Sequence, residues 1–250
     1  MSARVPDHYI GVWQRERLKR SNEPWDLNNQ VYWLQTPRWH ADVRVPHDRP
    51  DFSGVTSLAQ CNDAQLHALL KQESFCGITV VDDDICRWVR QIDVRLRETN
   101  DFGRMRFEAD MVEEFGIEID SYEIWRRLPG TLGESYALER VPTLTAGDDS
   151  ARAVLCVAGD RFIYTRNRPM WAASAVRARS QIALGKAPRA ELEAFLDFEG
   201  SFGTIVDGVG RITMSTLPWR QGEVAFSMDE IDAARHGTYG TDAFGWRPIG

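Results

Sequence analysis

The residues best suited to chemistry in this chain are His40-Ala41-Asp42-Val43-Arg44, an imidazole, a carboxylate and a guanidinium at alternate positions. Alternate side chains of an extended segment share one face about 7 Å apart, so the three groups form a polar row. A carboxylate beside an imidazole sets its tautomer and basicity, and an arginine holds an anionic or carbonyl oxygen. That set suits cofactor-free acid–base work, an isomerase or lyase step, with His40, Asp42 and Arg44 as catalytic candidates. The plainer expectation is that the row is a wetted outer face, Trp39, Ala41, Val43 and Val45 supplying the core. If the row lines a barrel interior instead, it is the site.

Arg90 is the second candidate, because it interrupts the apolar alternation of Cys86, Trp88, Ile92, Val94 and Leu96. A buried guanidinium needs a partner, and Glu199 or a ligand carboxylate is expected to supply it. Nine tryptophans are many for 250 residues; Trp33 and Trp88 lie on strand-like runs and could floor a pocket for a flat or apolar ligand. Trp33, Trp88, Arg90 and Glu199 are therefore the ligand-binding candidates. His40, Asp42 and His47 have no specific metal spacing, and GxSxG, HExxH, CxxC and a Walker lysine are absent, so no metal or other cofactor is expected.

The elements that must position these residues read mostly as strands. Residues 11–46 carry a Gly-x-Trp start, turn chemistry at 21–29 and a hairpin at Pro37. A helix is expected over 57–74, capped at Asn62 or Asp63. Strands follow at 86–97 and 103–110, the alternation continuing through Phe115, Ile117 and Ile119, and again at 122–128. After Pro129-Gly130 come strands at 136–141, 153–158 and 161–166, helices at 171–184 and 189–196, and strands after Gly200.

The two halves repeat each other. Trp13 answers to Tyr136, Trp39 to Phe162, Pro46 to Pro169 and Phe75-x-Gly77 to Phe198-x-Gly200 at one spacing of 123 residues, and Trp125-Arg126 answers to Trp246-Arg247. By that spacing the positions of His40, Asp42, Arg44 and Arg90 are held in the second half by Ile163, Thr165, Asn167 and Thr213, which places the chemistry in the first half. Antiparallel strands in units of this size remove their exposed edges by closing. The expected fold is mainly β with a few helices: two tandem antiparallel barrels related by internal duplication.

The charge of −7 opposes binding to nucleic acid or anionic membranes. No apolar run reaches the roughly 20 residues of a membrane helix, and four cysteines without a CxxC pair fit reduced thiols and a cytoplasmic setting. The Gly11-x-Trp13 opening and aromatic-rich meander resemble the calycin group, which makes residues 1–130 a first calycin-like barrel and residues 131–250 a second. The segments GVWQRERL, VYWLQTPRWHADVRVPHDRP, ICRWVRQIDV, YEIWRRL, FEGSFG and STLPWRQG resemble an uncharacterised bacterial family. That family is similar in layout to a fungal family of kinase-interacting proteins, and the resemblance implies the duplicated barrel but no catalytic residue. The leading expectation is a protein that holds a small, largely apolar or aromatic molecule in its first barrel. The alternatives are the isomerase or lyase and a protein-interaction module with filled barrels.

Overall fold

A computed structural model describes residues 4–97, 101–140, 152–169, 172–237 and 245–250. Its first half is a closed eight-stranded antiparallel barrel in chain order: β1 (Gly11–Arg20), β2 (Asn29–Gln35), β3 (Trp39–Pro46), β4 (Glu73–Asp82), β5 (Ile85–Asp93), β6 (Asp101–Glu108), β7 (Met111–Gly116) and β8 (Ser121–Arg127). β1 closes it by pairing with both β2 and β8. Gly11, at φ +130°, opens β1 in a conformation side chains rarely adopt.

The second half is a curled seven-stranded sheet of β9 (Ser135–Arg140), β10 (Ala153–Ala158), β11 (Arg161–Arg166), β12 (Glu199–Val206), β13 (Val209–Ser215), β14 (Val224–Ser227) and β15 (Trp246–Pro248), in the order β14-β13-β12-β11-β10-β9-β15. This is the first barrel's order with no counterpart of β7 among the described residues, since β15 and β9 to β14 follow one another as β8 and β1 to β6 do. The chain position of β7 is taken by a helix, α4 (Met228–His236), whose Ile231 enters the sheet's apolar core. The tandem barrel-like fold is therefore present, with the second unit open on one side.

The helices are α1 (Asp63–Leu69), α2 (Ala172–Ala183), α3 (Arg189–Leu196) and α4. α1 is shorter than the expected 57–74 because the chain has already entered β4 at Glu73. Its cap is Asn62, whose side chain accepts from Gln65 N at 2.9 Å while Gln65 Oε1 accepts from Asn62 N at 2.8 Å. Val141 and Trp171, expected ends of a strand and a helix, lie outside the described residues. No described helix is long and apolar enough to cross a membrane.

The two sheets pack back to back. Tyr32, Leu34, Trp39, Ala41, Val43, Cys76 and Ile92 on the outside of the first barrel share one core with Val154, Cys156, Ile163, Phe198, Phe202 and Met214 of the second sheet. Tyr32 stacks on Phe202 at 3.9 Å between ring centroids. A Cβ on Gly200 would lie 2.1 Å from Ser74 Oγ, so only glycine permits this approach.

This interface corrects three expectations about faces. First, β3 has no wetted side: Trp39, Ala41, Val43 and Val45 face the second sheet, which leaves the His40, Asp42, Arg44 row inside the barrel. Second, a bulge between the Cys76 and Gly77 pairings turns β5 over, so Cys86 and Trp88 face the barrel interior while Ile92 faces the second sheet. Third, the spacing of 123 pairs residues on opposite faces along β3 and β11, where Trp39 faces the other sheet but Phe162 faces its own interior. A slip of one residue reverses every side chain. By face, the counterparts of His40 and Asp42 are Phe162 and Tyr164, not Ile163 and Thr165. Phe115, Ile117 and Ile119 are exposed, because the chain has turned back after β6 at Ala109, φ 49°.

Candidate ligand site at the mouth of the first barrel

One end of the barrel is sealed. The chain before β1 turns across it through a single 3-10 turn (Asp7–Tyr9), and Val5, Tyr9 and Ile10 join the core of Trp13, Trp33, Trp88 and Trp125. Trp13 Nε1 donates to Tyr9 O at 2.8 Å. The Arg127 guanidinium lies 4.2 Å from the Trp13 ring centre and donates to His8 O at 2.9 Å and to Ile10 O.

His40 belongs to this sealed half. Its Nδ1 is 3.1 Å from Thr79 Oγ1, and the Thr79 hydroxyl donates to Gln35 Oε1 at 2.8 Å. With that proton committed to Gln35, Nδ1 must be the donor to Thr79, which leaves Nε2 as a lone pair without a partner among the described residues. Complete burial, with Arg90 adding to it, lowers the ring's pKa to about 3. It is a neutral tie at the β2–β3 turn.

The other end is open and charged. On strand after strand, the interior residue at the floor is followed two positions toward this end by an ionisable one: Trp13 by Arg15, Trp88 by Arg90, Val112 by Glu114, Trp125 by Glu123. The mouth holds a cavity of about 160 Å³ whose lining includes Arg44, Glu73, Arg90, Arg97, Asp101, Glu114 and Glu123. Beneath it is a chamber of about 10 Å³ walled by Trp33, Phe75, Trp88 and Trp125 with Asp42, Arg44, Asp101 and Glu114. One water needs roughly 10–15 Å³ by this measure, so the chamber holds about one water and the mouth a small molecule.

Most of the charges here are paired. Asp42 accepts from Arg44 Nε at 2.7 Å and from Nη2 at 3.3 Å. Arg15 donates to Glu123 at 3.1 Å, and Arg97 to Glu73 at 2.6 Å. Arg90 donates through Nη2 to Asp101 at 2.7 Å, and its Nη1 is 3.8 Å from Asp93. The guanidinium carbons of Arg44 and Arg90 lie 5.3 and 4.3 Å from the centre of Phe75. The Nε of Arg90 is buried with no hydrogen-bond partner among the described residues.

The carboxyls are driven in opposite directions. Burial pushes Glu114 well above the usual carboxylate range and Glu123 and Asp101 push it further, against Arg44 and the Trp125 indole, which donates to it at 3.0 Å. Glu73 resists the upward push of burial because Arg44, Arg97 and Arg95 bring it down to about 2. Burial raises Asp42 against the pull of Arg44. The cavity thus sets Glu114, driven toward its protonated form, against Glu73, held ionised by the guanidinium groups around it. Gly103 makes room for that acid, since a Cβ there would lie 2.8 Å from Glu114 Cγ.

Of the residues singled out from sequence, Asp42, Arg44, Trp33, Trp88 and Arg90 line these two spaces and His40 lines neither. Glu199 is elsewhere, a correction to its expected pairing with Arg90: it belongs to the second sheet, bound to Arg220 at 3.1 Å and to Ser201 Oγ at 2.8 Å. Asp101 and Asp93 serve Arg90 instead. Sequence reasoning missed Arg15, Glu73, Phe75, Glu114 and Glu123. The signal was the recurring step from an apolar interior residue to a charged one two positions on, visible only once the direction of each strand is known. In the second sheet the corresponding interior is apolar, with Leu138, Leu155, Val157, Phe162 and Ile212.

No family model matches the chain, and no curated protein matches it in sequence. Among solved structures it is similar to the uncharacterized protein YLR301w from Saccharomyces cerevisiae, at a TM-score of 0.53 and 8% identity over 96% of this chain and 98% of that one. At that identity the likeness concerns the fold alone, and its coverage extends to both halves of the architecture.

Proposed function

We propose that this chain is a calycin-like small-molecule-binding protein whose ligand enters the open end of the first barrel. The observation that carries this reading is the cavity of about 160 Å³ set over an aromatic floor in a barrel sealed at its other end. The eight-stranded up-and-down closure is that of lipocalin-type barrels, which supports the calycin comparison. The charged lining favours a ligand polar at one end, with any flat apolar or aromatic part held in the mouth above the chamber that Phe75 and the tryptophans wall. Cytoplasmic residence fits the four free, buried cysteines. The test is the intact mass of freshly purified protein under native conditions against its mass after denaturation, with absorption recorded on the same sample. A small molecule released on denaturation is the expected result, and a barrel that remains empty after exposure to a cell's metabolite pool overturns the reading.

A cofactor-free isomerase or lyase is a second reading, favoured by the un-ionised Glu114 sharing one chamber with Asp42 and Arg44. In it Glu114 takes the role that the sequence suggested for His40. The interaction-module reading, and with it the kinase-interacting role implied by the fungal resemblance, is favoured by Ile117 and Ile119, 51% and 64% exposed at the rim. Loss of all binding at the mouth while a partner protein is still retained would select it.

A further inference from the structure

We infer that the mouth is built for a small neutral carbonyl compound, an amide or ketone, whose oxygen accepts from Arg90 Nε and from the carboxyl group of Glu114. The inference rests on the binding reading above and names the class of ligand. Two hydrogen-bond donors in the cavity lack acceptors. Arg90 has a side chain 8% exposed and both terminal nitrogens engaged with Asp101 and Asp93, yet its Nε–H is buried with no partner among the described residues. Burial, with Glu123 and Asp101 nearby, favours the protonated form of Glu114, which among the described residues accepts one hydrogen bond, from the Trp125 indole. A protonated carboxyl and a planar N–H on the wall of one cavity are two donors, and such donors fit an acceptor oxygen.

Charge balance selects a neutral acceptor over an anion. The mouth's lining arginines, Arg20, Arg44, Arg90 and Arg97, are matched in number by Glu73, Asp101, Glu118 and Glu123 once Glu114 is neutral. An added carboxylate or ammonium would upset that balance: the lining charges without an ion pair among the described residues, Arg20 and Glu118, are both exposed, while Arg44, Arg90 and Arg97 already hold acids. A carbonyl compound satisfies both donors without a change of charge.

The experiment is a titration of the full chain with three probes of one shape, benzamide, benzoate and benzylamine, read by tryptophan fluorescence and by calorimetry. Benzamide is expected to bind at least about tenfold more tightly than either charged probe, the worth of one well-made hydrogen bond to a charged group. Glu114→Gln, which keeps a neutral donor, should bind benzamide within about threefold of the parent, and Glu114→Leu should lose about tenfold. Arg90→Lys keeps the charge but removes the planar Nε–H and should also lose about tenfold. If Arg90→Lys does not fold, the probe order and the two Glu114 variants still decide. Tighter binding of benzoate or benzylamine, or loss of benzamide binding in Glu114→Gln, overturns the carbonyl assignment and leaves the mouth as a binding site. Failure of all three probes to bind at about 10 mM, tenfold above a Kd of about 1 mM, overturns the assignment and the binding reading together.

Discussion

Glu73 and Glu114 line one cavity, and their replacement by glutamine should move stability in opposite directions at neutral pH. Glu73 falls from an ordinary 4.5 to about 2 in the folded protein. Between those values the unfolded chain holds a proton that the folded chain does not, so stability rises with pH there and the contribution is complete above about 4.5. At about 1.4 kcal/mol per unit the shift corresponds to about 3 kcal/mol, and with a side chain 24% exposed about 2 kcal/mol is the expected loss in Glu73→Gln at pH 7, fading as the pH falls toward 2. For Glu114 the sign is reversed. Its folded carboxyl keeps a proton that the unfolded one has released above about 4.5, so stability declines as pH rises from there toward its raised folded value, with a slope of up to about 1.4 kcal/mol per pH unit. Glu114→Gln removes that decline, so the variant should equal the parent near pH 4 and exceed it increasingly above. Urea unfolding at a series of pH values, followed by tryptophan emission, reads both variants. Effects of the same sign, or differences independent of pH, would refute the account of a desolvated mouth with carboxyls driven apart.

His40 is neutral above about pH 4, so its ring protons should show no titration by NMR between about pH 5 and 8, and a midpoint near 6.5 would contradict its burial. Asp42→Asn removes the bidentate partner of Arg44 while Glu73 and Glu123 remain near it; a loss of about 3 kcal/mol in urea unfolding is expected, at the low end for a broken buried pair. Arg127→Ala frees the carbonyls of His8 and Ile10 and uncovers Trp13, at a cost of about 2–4 kcal/mol, with faster hydrogen exchange at residues 5–10 as the specific sign. Gly200→Ala drives a methyl into Ser74 across the sheet interface and should cost about 2–3 kcal/mol, measured as a lowered urea midpoint.

Much of the architecture was legible because strand alternation and turn chemistry are local. The 159–160 turn between β10 and β11, the Asn62 cap and the span of α3 all follow from neighbouring residues, and the repeat showed in the order of elements. What failed was the assignment of faces. A single bulge at β5 and a one-residue shift in how β10 pairs with β9 relative to β2 with β1, Trp13 lying opposite Trp33 but Tyr136 opposite Val157 rather than Cys156, each reverse the inward set, and the 123-residue spacing was blind to that. The site was half legible for the same reason. Asp42, Arg44 and Arg90 drew attention as charges among apolar neighbours, whereas Glu114 follows another glutamate, and only the barrel's closure tells which of the two points inward. Glu113 is the outer one, engaged by Arg106 and Tyr122. His40 looked chemical because of its type, yet its position at the sealed end gives it a hydroxyl to hold and no cavity.

The most direct test of the central claim, that ligands enter the first barrel's mouth, is the proton–nitrogen spectrum of the indole groups during a screen of small carbonyl, carboxylate and amine compounds. Trp88 and Trp125 wall the chamber below the mouth, and Trp246 lies against the apolar core of the second sheet. Compounds that bind are expected to shift Trp88 and Trp125 and leave Trp246 unmoved. Shifts at Trp246 without movement of Trp88 and Trp125 would contradict the claim.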